Sequence, residues 1–233
     1  MNMPRMVSQV QFQPPILPCR ELPALPSIDL AELQRTFAST VPCPLRQAWL
    51  PTSPPHFAPA TVRTAWHADS LLVFAELTDR DIYTNATTLN QKTWELGDAF
   101  EMFFRPVEQT AYAEFHVVPN NHRLQLRIPN EPALRASQKS GVITPFLMPG
   151  EAIHSTVWLR IEEQRWWIYA RIPAASVYEK SRRLLGAEWK FSFSRYDYTR
   201  GQAEPAYSST SPHPVLDYHR QADWGTLQFQ PRN

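Results

Sequence analysis

Trp94 and Glu101 lie seven residues apart in "WELGDAFEMFFRP", residues 94–106, the indole on a loop and the carboxylate inside a strand pattern. A sugar ring has an apolar C–H face and a fringe of hydroxyls. Holding one takes an aromatic platform with planar polar side chains around it, which give and accept hydrogen bonds. The loop tryptophan is one half of that requirement. Glu101, Glu114, His116, Arg195 and Tyr196 on nearby strand patterns are the other half. The bland alternative is that Trp94 plugs the underside of its own loop.

Other chemistries are weaker in this sequence. Glu101 and Glu114 could be close enough for the paired carboxylates of a glycosidase, but outward strand glutamates are ordinarily solvated or ligand-contacting. No catalysis is expected. Ser211, His213 and Asp217 in "YSSTSPHPVLDYH" fall on one loop without the strand-to-helix elbow that exposes a nucleophile. No pair of the seven histidines has zinc spacing. Asp79 and Asp81 in "LTDRDIY", with Asp98, supply the oxygen ligands that calcium takes. "NAT" at Asn85 fits a glycosylation sequon, which matters only in a eukaryotic secretory setting.

The elements that must position these residues are strands. "VRTAWH" and "LLVFAEL" flank a short turn and read as a hairpin. "AFEMFFRP", "AYAEFHVVP", "RLQLRIP", "HSTVWLRI", "RWWIYARIP", "WKFSFSRYDY" and "WGTLQFQ" follow. Helix is expected only at "SIDLAELQRTF", with Ser27 as its cap, and in a turn at "PAASVY". The fold class is therefore all-β, an antiparallel two-sheet sandwich of jelly-roll type. Alternation then sorts faces. If Phe191 and Phe193 are core, Ser192, Ser194 and Tyr196 share the outer face; if Phe115 is core, Glu114 and His116 point out together.

Composition agrees with one large domain. The 233 residues are 43% hydrophobic and 12% aromatic, with 23 prolines against 6 glycines, which points to stiff connections. Residues 1–44 read as a proline-rich arm packed on a sandwich of residues 45–233. With 23 basic against 22 acidic residues, nucleic acid and membrane are not expected partners. Residues 1–22 show no signal-peptide pattern, so the chain as written is expected in the cytoplasm. Cys19 and Cys43 are too few for a disulfide framework.

The segments "TAWHADSLLVFAELTDRDI", "TWELGDAFEMFFRP", "YAEFHVVP", "WWIYARIP", "WKFSFSRYDYTRG" and "HRQADWGTLQF" occur in an order that resembles the family 9 carbohydrate-binding modules and related DOMON-like domains. The likeness runs over roughly residues 45–230. It implies a non-catalytic β-sandwich that binds a sugar or glycan chain end, in some members with structural calcium, often outside the cell and in polysaccharide catabolism. Carried onto this sequence, the family's W-x-x-x-D-x-x-E falls on Trp94, Asp98 and Glu101. The second clamping aromatic falls on Tyr218, a family arginine is replaced by His116, and a family glutamine by Ser194. Asp79 and Asp98 fall on acidic positions, so the implied cofactor is none or calcium. The resemblance thus assigns ligand binding to Trp94, Glu101, His116, Ser194 and Tyr218, and strand alternation adds Tyr196. The alternative is a sandwich whose diverged site takes another small ligand or a protein partner. A haem sensor of the DOMON type would need an axial Met/His pair, which Met102 and Met148 are poorly placed to provide.

Overall fold

In Ala99–Pro106, Phe100, Met102 and Phe104 alternate with Glu101 and Phe103, and both faces of the strand are buried, the first set in the central core and Phe103 in a second cluster. A computed structural model describes residues 13–54, 57–180 and 183–232. It contains twelve strands: β1 (Ile16–Glu21), β2 (Cys43–Pro44), β3 (Ala60–His67), β4 (Ser70–Thr78), β5 (Ala99–Pro106), β6 (Tyr112–Val117), β7 (Arg123–Ile128), β8 (His154–Arg160), β9 (Arg165–Pro173), β10 (Glu188–Asp197), β11 (Ala206–Ser209) and β12 (Gly225–Gln230).

Their order is β7-β6-β5-β10-β12-β1-β3-β4-β9-β8, with β11 added to β10 and β2 to β3. This ladder curls until its two halves face each other. Phe100, Met102, Phe115 and Phe193 from one half share a core with Val62, Val73, Ile168 and Ile172 from the other. The architecture is the expected β-sandwich. It departs from a purely antiparallel one at β1, which runs parallel to both β12 and β3. Residues 16–21 belong to the stretch that reads as an arm, yet they form a strand inside the sheet. Pro18 is tolerated there because the β3 ladder begins only at Arg20, so its missing donor breaks no bond with β3.

Among the described residues there are three α-helices, of which the first two cover outer faces and the last adds Ala174 and Val177 to the central core. On α1 (Leu30–Phe37), Leu30, Leu33 and Phe37 pack against Phe74, Trp167 and Tyr169. Its cap is Asp29, whose carboxylate accepts from Glu32 N at 2.9 Å, rather than Ser27. The helix α2 (Glu131–Ser140) was not expected. It is capped by Asn130 and closed by Gly141 at φ 71°, and it buries a single large apolar residue, Leu134. The turn after β9 is α3 (Ala174–Val177). Both cysteines are buried free thiols, and burial pushes Cys43 up to about 12. Among the described residues no helix is long and apolar enough to cross a membrane.

Candidate functional site

Register places the polar residues. Across the outer face, Ser194 on β10 pairs with Glu101 on β5, Glu101 pairs with His116 on β6, and Glu114 on β6 pairs with Leu126 on β7. A cavity of about 780 Å³ opens above this face. Its floor and one side carry Trp94, Glu101, Glu114, Tyr196 and Tyr218. The other side is formed by β7, α2, residues 143–146 and the loop at 215–219.

Trp94 sits on a 3₁₀ turn, Thr93–Glu95, that is tied down from several directions. Thr93 is buried and bonds to His116 Nδ1 at 2.7 Å, while Tyr198 donates its hydroxyl to Trp94 O at 2.6 Å. Gly97 explains itself at this point. At φ 133°, any Cβ there would lie 2.7 Å from Tyr83 O and 2.8 Å from Thr84 Cα. The half-buried indole meets the His116 ring edge-on, with centroids 5.7 Å apart. Trp94 is thus a held platform with one part open to the cavity.

Beneath it lies a buried acid–imidazole–acid array. His116 Nε2 donates to Glu114 Oε1 at 2.8 Å, and His116 Nδ1 lies 3.3 Å from Glu101 Oε1. Burial pushes Glu101 up to about 8, with Glu114 adding to the shift and His116 opposing it. Burial also works against ionising Glu114, but His219 and His116 outweigh it and leave Glu114 below its ordinary value. Burial likewise lowers His116, yet its two carboxylate neighbours leave it raised. The array thus splits its two acids: Glu114 holds its charge more readily than an ordinary glutamate, and Glu101 gives up its proton less readily. One atom stands out: Glu114 Oε2 is buried and has no hydrogen-bond partner, with His219 Nδ1 3.8 Å away.

The six ligand-binding candidates therefore divide. Trp94, Glu101, Tyr196 and Tyr218 line one cavity. Tyr218 is only 5% exposed, packs against Tyr196 at 5.8 Å, and donates its hydroxyl to Arg195 O. His116 is fully buried below the floor, where it braces the two glutamates. Ser194 does not reach the cavity; it is buried and bonded to Ser209 Oγ at 3.2 Å. Its neighbour is Ser209 on β11, paired beside β10, which strand alternation within β10 does not reveal. Glu114 and Tyr207 also line the cavity; alternation marks Glu114 as outward, whereas Tyr207 lies on β11, which carries no clear pattern. Arg195 faces the other way.

Arg195 belongs to the acidic group. One carboxylate oxygen each from Asp79, Asp98 and Asp197 lie within 4.8 Å of one another. Arg195 Nη2 lies 2.8 Å from Asp79 and 3.2 Å from Asp197. Asp98 accepts from Tyr83 N and Tyr198 N, so it also fastens the loops behind Trp94. Among the described residues, Arg195 is the guanidinium paired directly with this group of three acids. Burial pushes Asp98 up to about 8 and Asp197 up to about 6. A hard, oxygen-liking divalent cation fits this set in charge and donor type. Asp81 stands apart in an ion pair with Arg200. Ser211, His213 and Asp217 take separate partners: Ser192, Asp223 and Arg135.

No family model matches the chain, and no curated protein matches it by sequence. Solved structures do. A candidate carbohydrate-binding protein from Bacteroides uniformis has a TM-score of 0.66 at 18% identity, covering 94% of this chain and 98% of its own. A family 9 carbohydrate-binding module from Caldicellulosiruptor kristjanssonii in complex with cellotriose has a TM-score of 0.62 at 14% identity, covering 94% and 95%. The same kind of module from that organism in complex with glucose has a TM-score of 0.58 at 13% identity, covering 94% and 96%. At these identities the likeness is one of fold, and the chain has the fold of the family 9 carbohydrate-binding modules.

Proposed function

We propose that this protein binds carbohydrate without transforming it, holding a sugar or glycan chain end in the cavity above β5 and β6. The observation that carries the reading is the convergence of an aromatic platform, Trp94, with two carboxylates and the tyrosines 196 and 218 on one cavity. Trp94 takes the apolar face of the ring, and Tyr218 forms the opposing wall. Glu101 and Glu114, both on the cavity lining, exchange hydrogen bonds with ring hydroxyls. His116 acts through the glutamates, which it orients. The site departs here from the family pattern, in which an arginine stands at the position of His116.

We read the two glutamates as holding a ligand and not as hydrolysing it. Both lie on the floor with the His116 ring between their carboxylates, so they do not flank a bond on opposite sides of a sugar. The Asp79, Asp98 and Asp197 group is the proposed calcium site, and its task is to hold the loop that carries Trp94. The direct test of sugar binding is a calorimetric titration against a panel of mono- and oligosaccharides with the wild type and Trp94→Ala. Stacking on an aromatic face is worth ~1–3 kcal/mol by analogy with bases. The variant is expected to lose roughly ten- to a hundredfold in affinity, and retained affinity would remove Trp94 from the site.

A further inference from the structure

The cavity has two chemically different sides, and strand order is the cause. Polar and aromatic groups arrive on β10, β5 and β6, the next strand, β7, contributes Leu126 and Ile128, and Leu134 on α2 and Ile143 continue that side. Glu114 and Leu126 are cross-strand partners, so the boundary between the two sides falls between adjacent strands.

The second side is poorly suited to a further sugar. A sugar ring stacks on aromatic faces, and its hydroxyls need partners. Here the lining is mainly aliphatic, with Phe146 as an aromatic exception, and the polar groups on it are largely paired with one another or with the backbone. Ser137 donates to Val142 O, Arg135 binds Glu131, Gln138 and Asp217, and Lys92 pairs with Glu95. The wall is also held in place: Gln125 bonds to Gly150 O, Ala152 N and Ile153 N, pinning the segment that follows α2. Val142, Val215 and Leu216 stand 49%, 58% and 45% exposed at this end, apolar surface without a cover. The volume of about 780 Å³ is in the upper part of the ~300–1,000 Å³ typical of pockets for drug-sized molecules, well beyond one hexose.

We infer that the ligand is an amphiphilic glycoside, its sugar on the Glu101–Glu114 floor and an apolar aglycone against the aliphatic wall. The inference rests on the sugar-binding reading and adds the chemical class of the group attached to the sugar.

Calorimetric titration of the full chain with methyl and octyl β-glucopyranoside, and with the corresponding galactosides, tests it below the micelle-forming concentration. For the sugar that binds, the octyl glycoside is expected to bind roughly tenfold more tightly than the methyl glycoside, the gain from burying about two methylenes. In Val215→Ser combined with Leu216→Ser, both exposed positions where folding is not at risk, that ratio falls towards one. Equal affinities in the wild type overturn the inference and leave the sugar reading standing. A ratio that persists in the variant also overturns it, because the alkyl chain is then bound elsewhere. No binding of any of the four glycosides overturns the sugar reading and this inference together.

Discussion

Glu114 carries a buried carboxylate oxygen without a donor, and such an atom costs stability unless something supplies the missing bond. A ligand hydroxyl is what the proposed site would bring. Glu114→Gln keeps the shape and puts an N–H₂ group where the acceptor stood. The expected result is a loss of about tenfold in glycoside affinity, since a hydrogen bond to a charged group is worth ~1.5–3 kcal/mol. The melting temperature should stay level or rise. A fall in melting temperature with unchanged affinity would make Glu114 a structural residue only. Trp94 and Glu101 were legible in the sequence because a loop aromatic and a strand acid have a recognisable spacing. His116, Ser194 and Arg195 were not, because whether a strand residue meets ligand depends on what packs around it. For Ser194 that is Ser209 on β11, for His116 the two glutamates and for Arg195 the aspartates, and nothing local in β6 or β10 encodes these partners.

At the scale of elements, the Trp94 turn is set by Gly97, where the backbone passes so close to Tyr83 and Thr84 that no side chain fits. Gly97→Ala should cost ~1–3 kcal/mol and shift the platform. Both the melting temperature and sugar affinity are expected to fall, measured by thermal denaturation and calorimetry; loss of stability alone would show the platform to be independent of that turn. The long alternating strands could be read from the sequence because alternation is local. By contrast, β1 was hidden by Pro18, which ordinarily argues against a central strand. The helix α2 was hidden because it buries only Leu134 and shows no apolar stripe, though Asn130 before it and Gly141 after it marked its two ends. Capping residues were the signal there, and periodicity was not.

For the whole molecule, buried acids make stability depend on pH. Glu101, Asp98 and Asp197 are raised in the folded state to about 8, 8 and 6, from ordinary values near 4. Between those limits the folded chain holds more protons than the unfolded chain. Stability without metal is therefore full below about pH 4 for these groups and declines as pH rises through 6 and 8. Calcium, if it binds the aspartate group, displaces the protons from Asp98 and Asp197. Thermal denaturation at pH 5 and pH 8 with calcium or chelator is expected to show a larger calcium effect at pH 8. Asp98→Asn should abolish it, and an equal or absent calcium effect at both pH values would remove the metal from the aspartates. The sandwich itself was legible from alternation and strand count. Its mixed topology was not, since a parallel pairing between residues 16–20 and 226–230 is decided by surfaces far apart in the chain.

That pairing has a consequence for how the protein is made. Ile16–Glu21 is the seam between the two halves of the sheet, and the strand it needs on one side is Gly225–Gln230. Synthesis delivers the first of these long before the second. A nascent chain must carry an unzipped strand edge, with Cys19 and Leu17 waiting for cover, until more than two hundred residues have followed. Closure is then a single late event with a high loop-closure cost, and slow, aggregation-exposed folding is its expected signature.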